Sequence, residues 1–286
     1  MSGISIIEKA GIPWPEYTKL LFPYRDPIAV LLAKNYKKNG INCNYIYYDD
    51  GTALYVDSET MICNKPSRLE KVLGVPDELY KPSEGFVFAP ELLDFPDAIK
   101  LHKISFQRET GLINTLNKVF EYEKILKRKY IVFDLCDVEQ GTQLDITEMN
   151  QVIRLVKKLL NNDCVYLKKH PKRIGTYYED AGLKIFPSKI SLPFELYLLN
   201  EGADDDTVLI SEFSTAAIAP IIMFGDEPRL VFLYQMMVFF PYDQKEKIDQ
   251  FLQKISKMYK EDDKICVAYS ERDLEDFLCD LGKSIG

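Results

Sequence analysis

The chain has 286 residues, 47% of them hydrophobic and 28% charged, with a formal net charge of −8. That composition describes a globular protein with room for two modest domains or one large one. The acidic balance argues against nucleic acid as a partner, because tracking phosphates needs a basic excess. Only two histidines are present, His102 and His170, which excludes a histidine-rich metal site. The six cysteines, Cys43, Cys63, Cys136, Cys164, Cys266 and Cys279, show no metal-ligand spacing. Four of them fall in apolar periodic segments, as buried free thiols of a reducing compartment do. No signal peptide is visible, and no apolar run reaches the roughly 18 residues of a membrane span. A cytoplasmic protein is expected, peripheral to a membrane at most.

In chain order, residues 1–25 read as loop and turn around one short amphipathic piece. A helix follows from Asp26 as N-cap, with Pro27 at its first position and Gly40 as its C-cap. Asn44–Tyr48 is a strand that stops at Asp49-Asp50-Gly51, and Ala53–Val56 is a second strand or a turn. Leu69–Leu73 reads as a short helix. Gly85–Ala89 and Leu101–Phe106 read as strands, the latter carrying His102. A long helix is predicted from Gly111 to about Lys129, with Leu112, Leu116, Val119, Phe120 and Ile125 on one face.

From there the pattern becomes a regular alternation. Strands are predicted at Tyr130–Leu135, Val165–Lys168, Leu183–Phe186, Val208–Ile210, Arg229–Tyr234 and Ile265–Ala268. Helices are predicted at Asp145–Asn161, Pro193–Asn200, Thr215–Phe224, Asp243–Lys260 and Glu271–Gly282. Strands separated by helical patterns of this length call for parallel βαβ units and an α/β fold. The change of pattern near 122–129 divides the chain into domains 1–125 and 126–286.

Four polar stretches lie where strands end, which is where open α/β sheets bind their ligands. Lys168-Lys169-His170-Pro171-Lys172-Arg173 sets an imidazole among cations at a strand mouth stiffened by proline. This suits an anion, or is a solvated strand end. Ser214-Thr215 open a helix, where unsatisfied N–H groups favour anions, although both are also ordinary capping residues. Glu195 follows Leu192-Pro193-Phe194 in a helix's first turn. It sits there for dipole reasons, or to accept from hydroxyls such as those of a ribose. Asp49-Asp50-Gly51 is a common turn sequence and also suits a general base at a strand end. Asp134, Asp137 and Glu139 read as a solvated loop rather than as ligands for a divalent ion. There is no dinucleotide fingerprint, Walker A sequence or nucleophile elbow.

Taken in order, Asp49-Asp50-Gly51, Lys168-x-His170-Pro171, Pro193-Phe194-Glu195 and Ser214-Thr215 resemble the motifs of the bacterial sialyltransferases that use CMP-sialic acid. The lipooligosaccharide and capsule enzymes look most similar, over about residues 28–234. The resemblance implies a GT-B-like fold of two Rossmann-like domains facing a cleft. Residues 1–125 would form an acceptor-side domain that looks shortened, and 126–286 the CMP-binding domain. It implies an inverting, metal-independent transfer with no cofactor beyond the CMP-sialic acid donor, to a glycan acceptor of a bacterial surface polysaccharide. Asp50, or its neighbour Asp49, would be the base, with Asp145 as a second candidate. His170 would bind the CMP phosphate and stabilise or protonate the leaving oxygen. Ser214 and Thr215 would hydrogen-bond the same phosphate, Glu195 the ribose, and Lys168 and Pro171 would lie against the nucleotide. Two other readings stay open: a GT-B transferase using another nucleotide sugar, and an inactive homologue serving as a binding or assembly subunit. A peripheral position at the inner face of the cell membrane and a homodimer are also left open.

Overall fold

The computed structural model describes residues 18–23, 27–49, 51–57, 68–72, 74–93, 99–106, 108–134, 146–160, 165–170, 182–189, 191–237 and 242–283. Within them the chain is α/β and forms two compact units, 1–105 and 106–286, each built on its own all-parallel sheet. No helix among the described residues is long and apolar enough to cross a membrane.

The first unit begins with β1 (Lys19–Phe22), α1 (Pro27–Lys38) and β2 (Asn44–Tyr48). The sequence reading sees only loop and an amphipathic piece ahead of α1. The four residues of β1 instead pair in parallel with β2, Lys19 opposite Asn44 and Phe22 opposite Tyr47. What the local pattern lacks is supplied by packing, since the Phe22 ring meets the fully buried Tyr47 ring edge-on at 6.2 Å. α1 buries Ala33 and Tyr36 and ends where Gly40 takes φ 66°, a left-handed value that favours glycine. Next come α2 (Thr52–Val56), α3 (Arg68–Val72), β3 (Glu84–Val87) and β4 (Lys100–Lys103), giving the sheet order β1-β2-β3-β4. α2 replaces the strand or turn expected at 53–56. Leu54 and Tyr55 are adjacent yet both buried, which a half-buried strand does not permit but a short helix does.

The second unit opens with α4 (Thr110–Val119), so the division falls between Ser105 and Phe106, ahead of the 125/126 boundary read from sequence. α4 also stops ten residues short of its expected end at Lys129. Glu121 turns the chain with φ 50°, and Ile125 is then buried from an extended segment. This segment runs along α6 (Phe194–Glu201). Asn117 and Asn200 exchange two amide hydrogen bonds of 2.9 Å, and the Arg128 N–H donates to Tyr197 Oη at 3.0 Å. These contacts outweigh the helix-forming tendency of the charged run.

The remaining elements are β5 (Tyr130–Phe133), α5 (Ile146–Leu159), β6 (Val165–Lys168), β7 (Lys184–Ile185), β8 (Val208–Ser211), α7 (Thr215–Ala219), β9 (Arg229–Phe232), α8 (Tyr242–Ser256), β10 (Ile265–Val267) and α9 (Glu271–Lys283). Their sheet has the order β10-β9-β8-β5-β6-β7. The chain lays down β5, β6 and β7 in one direction, then returns to the other side of β5 for β8, β9 and β10. This is the order of a doubly wound sheet with its reversal between β5 and β8. Both strands at the reversal are buried at all four positions, as expected for a sheet covered on both faces. Beyond α7 the helix widens into a π-helical turn over Pro220–Phe224 before Gly225 ends it at φ 69°. Pro220 has no N–H to donate to the preceding turn, so the ladder cannot continue in α register.

Candidate functional site

Two clusters of polar side chains sit at strand ends, one in each unit. In the first unit the Asp49 carboxylate, 8% exposed, follows β2. Oδ1 accepts the Gly51 N–H at 3.0 Å, and Oδ2 accepts the Phe88 N–H at 3.1 Å together with the Tyr55 hydroxyl. Tyr55 Oη in turn accepts the Ala89 N–H at 3.1 Å. Gly51, the N-cap of α2, has φ 147° and ψ −173°, a region essentially reserved for glycine. Burial raises the Asp49 carboxyl above its ordinary 3.8, against the Tyr55, Phe88 and Gly51 hydrogen bonds that lower it. The same burial, with the Asp49 charge beside it, drives the Tyr55 phenol far upward. Asp49 therefore ties the end of β2 to α2 and to the segment after β3. Both of its oxygens take part in that task. Asp50, Asp145 and Pro171 lie outside the described residues.

In the second unit the carboxyl ends of β6, β5 and β8 stand side by side. Residues paired across parallel strands project from the same face, and Lys168 is paired with Phe133. Phe133 meets the Phe194 ring edge-on at 4.8 Å, so this face lies under the start of α6. The arrangement explains why Lys168, 7% exposed, feels Glu195 in the first turn of that helix. Burial lowers the Lys168 ammonium, and the Glu195 carboxylate opposes the shift. His170, two residues beyond β6, is half-buried and donates its backbone N–H to Asp134 Oδ2 at 3.4 Å. Ser214, at the far side of the reversal after β8, caps α7 with its Oγ accepting the Ala216 N–H at 3.3 Å. That bond uses an acceptor lone pair of the hydroxyl, leaving the O–H proton to donate elsewhere. Thr215 begins the helix and is half-buried.

The sequence-predicted residues Lys168, His170, Glu195, Ser214 and Thr215 thus share one edge of one sheet. Two neighbours are new. Asp134 is read from sequence as part of a solvated loop, yet it is 4% exposed at the end of the central strand. Glu212 is 1% exposed immediately after β8. Both could have been suspected from position, since each is the first carboxylate after an uninterrupted apolar strand. Ser211 Oγ, fully buried at the last position of β8, has no hydrogen-bond partner among the described residues.

Lys168, His170 and the capping residue Ser214 thus stand at the ends of strands β6 and β8, on either side of the central strand β5, and cations, an imidazole and hydroxyls are the groups that suit an anion. The carboxylate of Glu195 beside it offers an acceptor for hydroxyls on the same molecule. Among the described residues no group of three or more His, Cys, Asp or Glu is placed to hold a metal ion. No protein-family model matches the chain, and a search of curated proteins finds no significant match.

Proposed function

We propose that this protein is an inverting sialyltransferase of GT-B architecture, transferring sialic acid from CMP-sialic acid to a terminal sugar of a bacterial surface glycan. The observation that carries the reading is the grouping of Lys168, His170, Glu195 and Ser214 along the carboxyl edge of one doubly wound sheet, beside the reversal between β5 and β8. Ligands of such sheets bind at that reversal. The residue types there match a nucleoside monophosphate, with cations and donors for phosphate and a carboxylate for ribose.

In this mechanism the second unit holds the donor. An acceptor hydroxyl oxygen attacks the anomeric carbon of sialic acid and gives its proton to Asp50. The bond from that carbon to the phosphate oxygen breaks, and its electron pair leaves with CMP. His170 offsets or protonates the departing oxygen while Ser214 and Thr215 hydrogen-bond the phosphate. Such donors act without reorganising during the step, so a monophosphate leaving group needs no metal from this chain. Asp49 sets the turn that carries the acidic motif. Inversion follows from the single displacement.

The test is turnover of CMP-sialic acid with a panel of galactose- and sialic acid-terminated acceptors. The expected result is a sialylated product with at least one acceptor, lost in His170→Ala. Correctly folded protein that turns over nothing across the panel, or a product formed from another nucleotide sugar instead, overturns the proposal.

A further inference from the structure

We propose that Asp134 is the positioning residue for His170, an inference that rests on His170 binding the donor phosphate. Asp134 closes β5, the strand on which the sheet reverses, and it engages the exit of β6 at two points. Its backbone N–H donates to the Lys168 carbonyl at 3.1 Å, extending the β5–β6 ladder one step past the last paired residues. Its carboxylate accepts the His170 N–H at 3.4 Å. One residue on the central strand therefore brackets Lys168 and His170, the two ends of the Lys-x-His stretch.

A carboxylate that is 4% exposed is unfavourable unless hydrogen bonds use its oxygens, and here one of them holds main chain. This gives Asp134 work other than touching substrate. His170 lies two residues past the end of β6. Its ring is directed by φ and ψ at residue 170, and the amide of that residue is what Asp134 holds. Loosening this bond leaves the imidazole present but misdirected, which weakens recognition of phosphate and not of the nucleoside.

The experiment compares wild type, Asp134→Asn and Asp134→Ala in the full chain. It reads hydrogen exchange of the His170 amide by NMR, and CMP and cytidine affinities by calorimetry. Asparagine keeps an oxygen acceptor and is expected to hold both the exchange rate and the CMP affinity close to wild type. Alanine removes the acceptor. It is expected to speed His170 exchange and to weaken CMP by roughly tenfold to a hundredfold, with cytidine affinity unchanged. If the alanine variant does not fold, Asp134→Ser takes its place, because its shorter side chain falls out of reach of His170. A CMP-to-cytidine affinity ratio unchanged in the acceptor-less variant overturns the inference, as does unchanged exchange at His170. A parallel loss of CMP and cytidine also overturns it, since that marks a general structural role. If wild type binds no CMP, the phosphate reading fails, and the exchange rates still decide whether Asp134 holds His170.

Discussion

Replacing Tyr55 with phenylalanine isolates the hydrogen bonding that holds the acidic turn, because the ring stays to fill the same buried space. The hydroxyl donates to the Asp49 carboxylate and accepts from the Ala89 N–H, and Ala89 is fully buried. A hydrogen bond to a charged group contributes about 1.5–3 kcal/mol, and a buried N–H left unpaired costs about 1–3 kcal/mol. Together they predict that Tyr55→Phe destabilises the first unit by roughly 3–5 kcal/mol. The effect has a definite pH dependence. Burial holds the Asp49 carboxyl above 3.8, so the folded protein takes up this proton before the unfolded chain does. The stability this adds is fully present below 3.8 and is lost as pH rises through the folded value. Removing the Tyr55 donor raises the folded value further and widens that window. The deficit of Tyr55→Phe is therefore larger at neutral pH than near 3.8. Urea denaturation at both pH values, followed through hydrogen exchange of the Phe88 and Ala89 amides, measures it. A loss below about 0.5 kcal/mol, the usual scatter of surface substitutions, or a deficit that grows on acidification would show that Tyr55 does not hold the turn.

Four further substitutions, at three positions, separate structural work from binding work. Gly51→Ala forces a side chain onto backbone at φ 147° and should cost about 1–3 kcal/mol of first-unit stability in the same denaturation assay. Lys168→Met removes a buried charge and keeps an apolar stem of similar length. Thermal unfolding should show stability lowered, because the Glu195 carboxylate loses the charge that faces it, while calorimetry shows CMP affinity reduced about tenfold or more. For Ser214, alanine removes the cap of α7 and should cost about 0.5–2 kcal/mol. Ser214→Asp restores a cap acceptor but places a negative charge beside the phosphate, so stability should recover while CMP binding does not.

The polar cluster at the carboxyl edge of the second unit is legible because its signals are local. Val-Tyr-Leu-Lys and Val-Leu-Ile-Ser each end an apolar strand, and the polar residues after them had to emerge at the carboxyl edge. The order of the six strands sets those edges on either side of β5, and βαβ alternation is enough to anticipate parallel pairing. What escaped depended on contacts distant in sequence. β1 has too few residues for periodicity to register and exists because it pairs with β2. The early end of α4 is set by Asn200 and Tyr197, about 80 residues away along the chain. Tyr55 carries no motif at all; only the return of the backbone at Phe88 and Ala89 reveals why it matters. Asp134 reads as solvated from sequence because charged residues near a strand end usually face solvent. Its burial follows from its place on the central strand, which a strand-by-strand reading does not show.

We propose that the carboxyl edge of the second unit recognises the phosphate of a cytidine nucleotide. Parallel calorimetric titrations of wild type and His170→Ala with CMP and with cytidine address it directly. Each charge-assisted hydrogen bond to phosphate contributes about 1.5–3 kcal/mol, or roughly tenfold or more in affinity. Wild type is predicted to bind CMP well over tenfold more tightly than cytidine, and His170→Ala to lose most of that difference while still binding cytidine. Equal affinity of wild type for CMP and cytidine, or a CMP preference that survives intact in His170→Ala, contradicts the account.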